Sequence, residues 1–139
     1  MPNYEFFEHT ADIGFRAFGS TLETALSEAC EALTNVMTGG APVERQQEVS
    51  FAVTASDHEE LVVDLLSHLV YLADAEAFIA GSCHLTLHQN LKANVTALGE
   101  RFDPKRHSEG LEVKAVAYHM LQVEQQASGQ WMIQVLLDV

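Results

Sequence analysis

The strongest constraint on the fold is a pattern that occurs twice: a polar quartet with the spacing of a capping box, followed by apolar residues at three- and four-residue steps. Ser20-Thr21-Leu22-Glu23 opens the first, and Leu22, Ala25, Leu26, Ala29, Leu33, Val36 and Met37 form its apolar stripe, with Glu23, Glu28 and Glu31 off it. A hydroxyl at the first position and a carboxylate three residues on satisfy the orphan amides of a first helical turn, and the stripe supplies a face to bury. Gly39-Gly40 then stops the helix. Ser56-Asp57-His58-Glu59 repeats the spacing, and Leu61, Val62, Leu65, Leu66, Leu69, Val70 and Leu72 give a broader face, which marks the main core helix. The two units match only in pattern, so no internal repeat is inferred.

The rest of the apolar sequence reads as strands. Tyr4 to Phe7 and Ile13 to Phe18 are short aromatic and β-favouring runs around a loop from His9 to Asp12, with Gly14 placed to turn the chain. Glu48 to Thr54 alternates with the period of a half-buried strand, Val49, Phe51 and Val53 facing inward. After Gly81, Leu85 and Leu87 fall on one side of a strand and His84, Thr86 and His88 on the other. Leu91 to Leu98 continues the sheet, and Gly99 to Gly110 reads as a polar loop carrying Glu100 and His107. Leu111 to Val123 predicts a long strand whose faces are both mixed, which suggests a central position. Ser128-Gly129 offers a tight turn into a last strand, Trp131 to Leu137, with Asp138 at its edge.

Composition narrows the function classes. A chain of 139 residues, 47% hydrophobic and 19% charged, is expected to form one globular domain, 1–139. Its apolar runs are shorter than the roughly 20 residues that span a bilayer, and the start has no basic patch or h-region, so a cytoplasmic protein is expected and no membrane contact. Twenty acids against seven Lys and Arg leave a formal charge of −13, which repels a phosphate backbone and disfavours direct nucleic-acid binding. The same charge suits a basic protein partner, a metal held by carboxylates, or simply a solvated surface. Cys30 and Cys83 form no C-x-x-C pair and read as buried thiols. No nucleophile elbow, phosphate-binding glycine loop or Ser-His-Asp order is visible, so nothing calls for an enzyme.

A few polar residues stand among apolar neighbours. In His9-Thr10-Ala11-Asp12-Ile13-Gly14 an imidazole and a carboxylate are three positions apart, and Asp138 closes the last apolar run. If the fold joins them, Asp12 and Asp138 are hard oxygen ligands suited to calcium, magnesium or manganese more than zinc. The alternatives are a turn in which Asp12 caps backbone amides, and a solvated Asp138. His9 is a ligand, a base, or a ring that holds the loop. Lys114, in an otherwise apolar strand, calls for a carboxylate partner among Asp12, Asp138 and Glu100, or else it snorkels to solvent. His84 and His88, on a strand, stand about 13 Å apart, too far to share one ion.

Taken together, several segments resemble the archease family: His9-Thr10-Ala11-Asp12-Ile13-Gly14-Phe15, Asp64-Leu65-Leu66 through Tyr71-Leu72, and Gly99-Glu100 with Asp103 through Arg106-His107. Glu112-Val113-Lys114-Ala115-Val116 with Tyr118-His119, and Leu136-Leu137-Asp138-Val139, complete the set in family order. The resemblance implies a compact α+β domain with mixed or antiparallel sheets and two main amphipathic helices. It also implies a non-catalytic accessory protein of the GTP- and manganese-dependent RNA ligase of tRNA splicing or RNA repair, promoting ligase guanylylation and repeated turnover. Carried over by position, Asp12, Asp138 and the backbone at Val139 are the implied metal ligands, with His9, Lys114, Glu100 and His107 as neighbours or partner contacts. A chaperone that modulates a tRNA methyltransferase is the alternative expectation.

Overall fold

In the computed structural model, which describes residues 2–9 and 11–139, two antiparallel sheets enclose two helices; Met1 and Thr10, the latter within the His9 to Asp12 motif, lie outside the described residues. The elements in chain order are β1 (Tyr4–His9), β2 (Asp12–Gly19), α1 (Leu22–Thr38), β3 (Gln47–Thr54), α2 (His58–Glu76), β4 (Phe78–His88), β5 (Lys92–Arg101), β6 (Ala115–Gln125) and β7 (Trp131–Asp138). One sheet has the order β1-β2-β7-β6 and the other β3-β5-β4. Every ladder among the described residues is antiparallel, so the α+β expectation holds.

The apolar stripes of the helices explain their place. Both helices touch strands of both sheets. A helix in that position needs a wide buried arc, and α2 supplies one in Leu61, Val62, Val63, Leu65, Leu66, Leu69, Val70 and Leu72. In α1, Ala25, Ala29 and Ala32 are fully buried beside Leu26 and Leu33, and the small side chains let it lie close to its neighbours. From the sheets, Phe15, Val95, Ile133, Val135 and Leu137 complete the core.

Both helix starts fall one residue later than the capping-box spacing implies. The N-cap of α1 is Thr21, whose hydroxyl accepts from the Thr24 amide while the Thr24 hydroxyl accepts from the Thr21 amide. Glu23 is then free for another use. Its carboxylate accepts from the Leu87 amide at 3.3 Å, the Ser27 hydroxyl donates to the Cys83 carbonyl at 2.7 Å, and the Thr34 hydroxyl donates to the Ala80 carbonyl at 2.6 Å. Positions 23, 27 and 34 follow one helical stripe, and together they occupy three backbone groups of the edge strand β4, which blunts it toward another chain. Cys30 lies in the same stripe. A hydrogen bond with Cys83, then burial, pushes its thiol well above the usual range, so it stays protonated and unreactive, as expected for buried thiols.

The N-cap of α2 is Asp57, whose carboxylate accepts from the Glu60 amide at 2.7 Å. Asp57→Ala is expected to lower stability by about 1 kcal/mol, read as a lower urea midpoint at unchanged slope. A midpoint equal to wild type would show that Ser56 or solvent replaces the cap. Gly39, at φ 69°, ends α1 as anticipated.

Three further readings need correction. The segment Gly99-Glu100 is strand, because β5 runs to Arg101. The long strand expected from Leu111 begins only at Ala115, and β6 is an edge strand, not a central one. Four of its residues, 118 to 121, bulge outward between the pairs Ala117↔Leu136 and Gln122↔Gln134, where β7 spends only Val135. Gly14 turns nothing: it lies within β2, where a Cβ would meet the Phe7 ring at 2.3 Å, so its role is to let that ring lie across the strand.

Candidate functional site

The face of the β1-β2-β7-β6 sheet turned away from the helices is built in rows, because directly paired residues on neighbouring strands project to the same side. One row reads His9, Asp12, Asp138, Ala115 across the four strands. The next reads Phe7, Gly14, Leu136, Ala117, and the third Glu5, Arg16, Gln134, Gln122. Asp12 and Asp138, far apart in sequence, are thus direct cross-strand partners at one end of the sheet.

The row beneath them is a floor. Phe7 lies over Gly14, the Arg16 guanidinium stands 4.6 Å from the Phe7 ring centroid, and Leu136 is 1% exposed although it lies outside the main core. Arg16 also donates to Gln134 at 2.9 Å and pairs with Glu5 at 3.2 Å. Gln134 in turn donates to the Met120 carbonyl at 2.9 Å and so braces the β6 bulge. The first row therefore rests on a packed layer and not on a loose hairpin.

His9 ends β1 and its Nδ1 stands 3.5 Å from an Asp12 carboxylate oxygen, too long for a good hydrogen bond; that buried nitrogen has no hydrogen-bond partner among the described residues. The ring meets His119 at 5.7 Å between centroids. Sequence reasoning placed His119 on a regular strand and missed it here. The bulge brings it in, and alternation carries no signal of a bulge.

Lys114 contributes its backbone. Its amide donates to the Asp138 carbonyl at 2.7 Å, which holds the approach to β6 against the end of β7. The side chain is exposed and makes no ion pair among the described residues, so the expectation of a buried lysine neutralising a carboxylate is corrected: Lys114 precedes the strand and its ammonium remains in water. Val139 packs its side chain against the core next to exposed Asp138.

Glu100 and His107 meet each other instead. Glu100 is 3% exposed and His107 1%; His107 Nε2 stands 3.6 Å from Glu100 Oε2, and Arg106 pairs with the other oxygen. The Glu44 amide donates to Glu100 at 2.8 Å. The Asp103 amide donates to His107 Nδ1 at 2.9 Å, so the neutral ring carries its proton on Nε2, facing Glu100. Burial acts to raise the Glu100 pKa, but hydrogen bonds from Arg106 and the Glu44 amide, with the charges of Arg106 and His107, hold it below its ordinary value. None of the hydrogen bonds or ion pairs of this group reaches His9, Asp12 or Asp138 among the described residues.

The Asp12–Asp138 end suits a divalent cation in part. No group of three or more His, Cys, Asp or Glu side chains among the described residues is arranged to hold one. Two carboxylates on adjacent strands and an imidazole nitrogen with no partner among the described residues are present, and a hard cation completes such a set with main-chain carbonyls and water. His84 and His88 are both exposed on β4, and His88 is engaged with Asn94 at 2.9 Å.

Two antiparallel sheets around two helices, with Asp12, Asp138 and His9 at one sheet end, define a small α+β domain. The model of the archease protein family matches residues 4–139. Protein archease of Pyrococcus furiosus is 36% identical over 142 residues, covering all of both chains. The solution structure of protein 1598 of Methanobacterium thermoautotrophicum superposes with a TM-score of 0.81 at 30% identity over the full length of both. The crystal structure of an archease from Thermotoga maritima, described as a possible chaperone, shares the fold at a TM-score of 0.65 and 23% identity, over 96% of this chain and 94% of that one. The chain belongs to the archease family.

Proposed function

We propose that this protein is a non-catalytic, metal-binding activator of a GTP- and manganese-dependent RNA ligase, raising the rate of ligase guanylylation and allowing multiple turnover. The observation that carries the reading is the direct pairing of Asp12 with Asp138 across β2 and β7, beside a His9 nitrogen that has no hydrogen-bond partner among the described residues. Membership of the archease family supports this reading. The overall charge of −13 suits a basic protein cleft better than RNA itself.

Asp12 and Asp138 would hold the ion, with the Val139 backbone as a further oxygen donor. A bound divalent ion supplies positive charge that offsets phosphate charge during nucleotidyl transfer. The chain's own part is placement. The Phe7–Gly14–Leu136 row fixes β2 and β7 from below, the Lys114 amide fixes the Asp138 carbonyl, and His9, the cross-strand partner of Asp12, would offer an additional nitrogen donor to the ion.

The test is single-turnover guanylylation of the cognate ligase with wild type, Asp12→Ala and Asp138→Ala, each checked for folding by thermal melting. Acceleration is expected with wild type and is expected to be lost in both variants, with melting temperatures within a few degrees of wild type. No acceleration by wild type of a demonstrably active ligase would overturn the reading in favour of a tRNA methyltransferase chaperone.

A further inference from the structure

The exposed side of α2 and the β6 bulge beside it form a surface that the metal reading does not use. Asp57, Glu60, Asp64 and Tyr71 succeed one another at three-, four- and seven-residue steps, one stripe of the helix. The α2 helix packs along β6, the strand that carries Tyr118 on its bulge. Desolvation, then the charges of Asp64, Glu60 and Asp57, raise the Tyr118 hydroxyl pKa. Tyr118 is 59% exposed, Tyr71 56% and Met120 41%. On the far side, His68 packs on Phe51 of β3 at 4.1 Å and on Tyr71 at 5.8 Å, so the stripe is supported from both sheets.

The bulge itself is costly. Met120 has φ 59°, a left-handed conformation that a side-chain-bearing residue adopts at a penalty of roughly 1 kcal/mol. A regular strand would avoid the penalty and would also leave an open, pairable edge. The bulge instead leaves Tyr118 and Met120 exposed and brings the exposed His119 ring to 5.7 Å from that of His9.

We propose that the α2 stripe and the β6 bulge form the docking surface for a basic, arginine-bearing protein face, which on the reading above belongs to the ligase. Guanidinium groups suit this surface because they stack on tyrosine faces and pair with carboxylates at once. A second copy of this chain would bring carboxylates against carboxylates, and a nucleic acid would bring phosphates against them, so charge disfavours both. Position gives the surface its use. A partner seated on Tyr118 and Met120 is in contact with the same bulge that presents His119 to the Asp12–Asp138 end.

Binding of the cognate ligase, measured by biolayer interferometry, tests the assignment. The double variant Asp64→Arg, Tyr118→Ala is expected to weaken binding at least about tenfold. Glu109→Arg, an equal change of charge on an exposed loop elsewhere, is expected to stay within about twofold of wild type. Both are verified as folded by circular dichroism. Undiminished binding by the double variant overturns the docking assignment and leaves the ligase reading intact, and so does an equal loss in Glu109→Arg, which would assign the attraction to net charge. Failure of wild type to bind an active ligase overturns the ligase reading and the docking assignment with it.

Discussion

Gly99→Ala is expected to destabilise the protein by upwards of about 4 kcal/mol, enough to lower the melting temperature by roughly 15 °C or to prevent folding. Gly99 sits in β5, the central strand of its sheet, paired with Gln47 on one side and Ala80 on the other. A Cβ there would stand 1.8 Å from the Ile79 carbonyl oxygen and 2.9 Å from the Ala80 Cα, both backbone atoms. Flexible side chains can give way, but a strand cannot, and β4 is pinned at this point. The Thr34 hydroxyl donates to the Ala80 carbonyl, and the register skips a residue between Ala80 and Ser82 to carry the strand past Gly99. Thermal melting by circular dichroism checks the expectation. A drop under about 5 °C would show that β4 can shift away without loss of its ties to α1.

The helices were legible because their signals are local. A stripe at three- and four-residue steps and a cap just before it need no knowledge of the rest of the chain, and both helices lie where those signals put them. The one-residue error at each cap has a tertiary cause. Glu23 has the right spacing from Ser20 to close a capping box, but it is drawn to the Leu87 amide across the interface with β4, and Thr21 with Thr24 close the turn in its place. Strand existence was similarly legible and strand neighbours were not. Alternation reports which side a residue faces and is silent on whether both backbone edges are paired, so β6 read as central from its mixed faces although only one edge is used.

The candidate site divides along the same line. Asp12 and Asp138 stood out as polar residues bordering apolar runs, and the strand pairing of β2 with β7 brings them together. His119 reaches His9 because β6 spends four residues, 118 to 121, against the single Val135 of β7, and Lys114 acts through its amide while its ammonium faces water. Neither could be read without the register. Gly14 illustrates the converse: its presence in the motif was plain, but its purpose, making room for the Phe7 ring on a strand, depends on the cross-strand partner.

Glu100→Ala is expected to cost about 2 to 3 kcal/mol at pH 7, because it removes one partner of a buried ionic group and leaves the others behind. The Glu44 amide loses its acceptor, and His107 Nε2, already 3.6 Å from Glu100 Oε2 and without a hydrogen-bond partner among the described residues, loses that carboxylate as well. Arg106 is 42% exposed and returns to water at little cost, which is why the figure lies below that for breaking a fully buried pair. The group also anchors the path into β6. Asp103 accepts from the Lys105 and His107 amides and pairs with Arg106, so the 103–107 turn is closed on itself and tied to β5 through Glu100. The sign of the pH dependence follows from the lowered Glu100 pKa. An unfolded glutamate titrates near ~4.3 and the folded one lower, so the carboxylate stabilises the protein fully above ~4.3 and that stability is lost as pH falls through the folded value. Glu100→Gln, which keeps the shape and an acceptor for the Glu44 amide, should therefore be less stable than wild type at pH 7 and approach it as pH falls through the lowered folded value. Urea titrations of both proteins across pH 3 to 7 decide it: a gap that stays constant to the lowest pH would mean that the loss comes from packing and hydrogen bonding, and that the charge on Glu100 stabilises nothing.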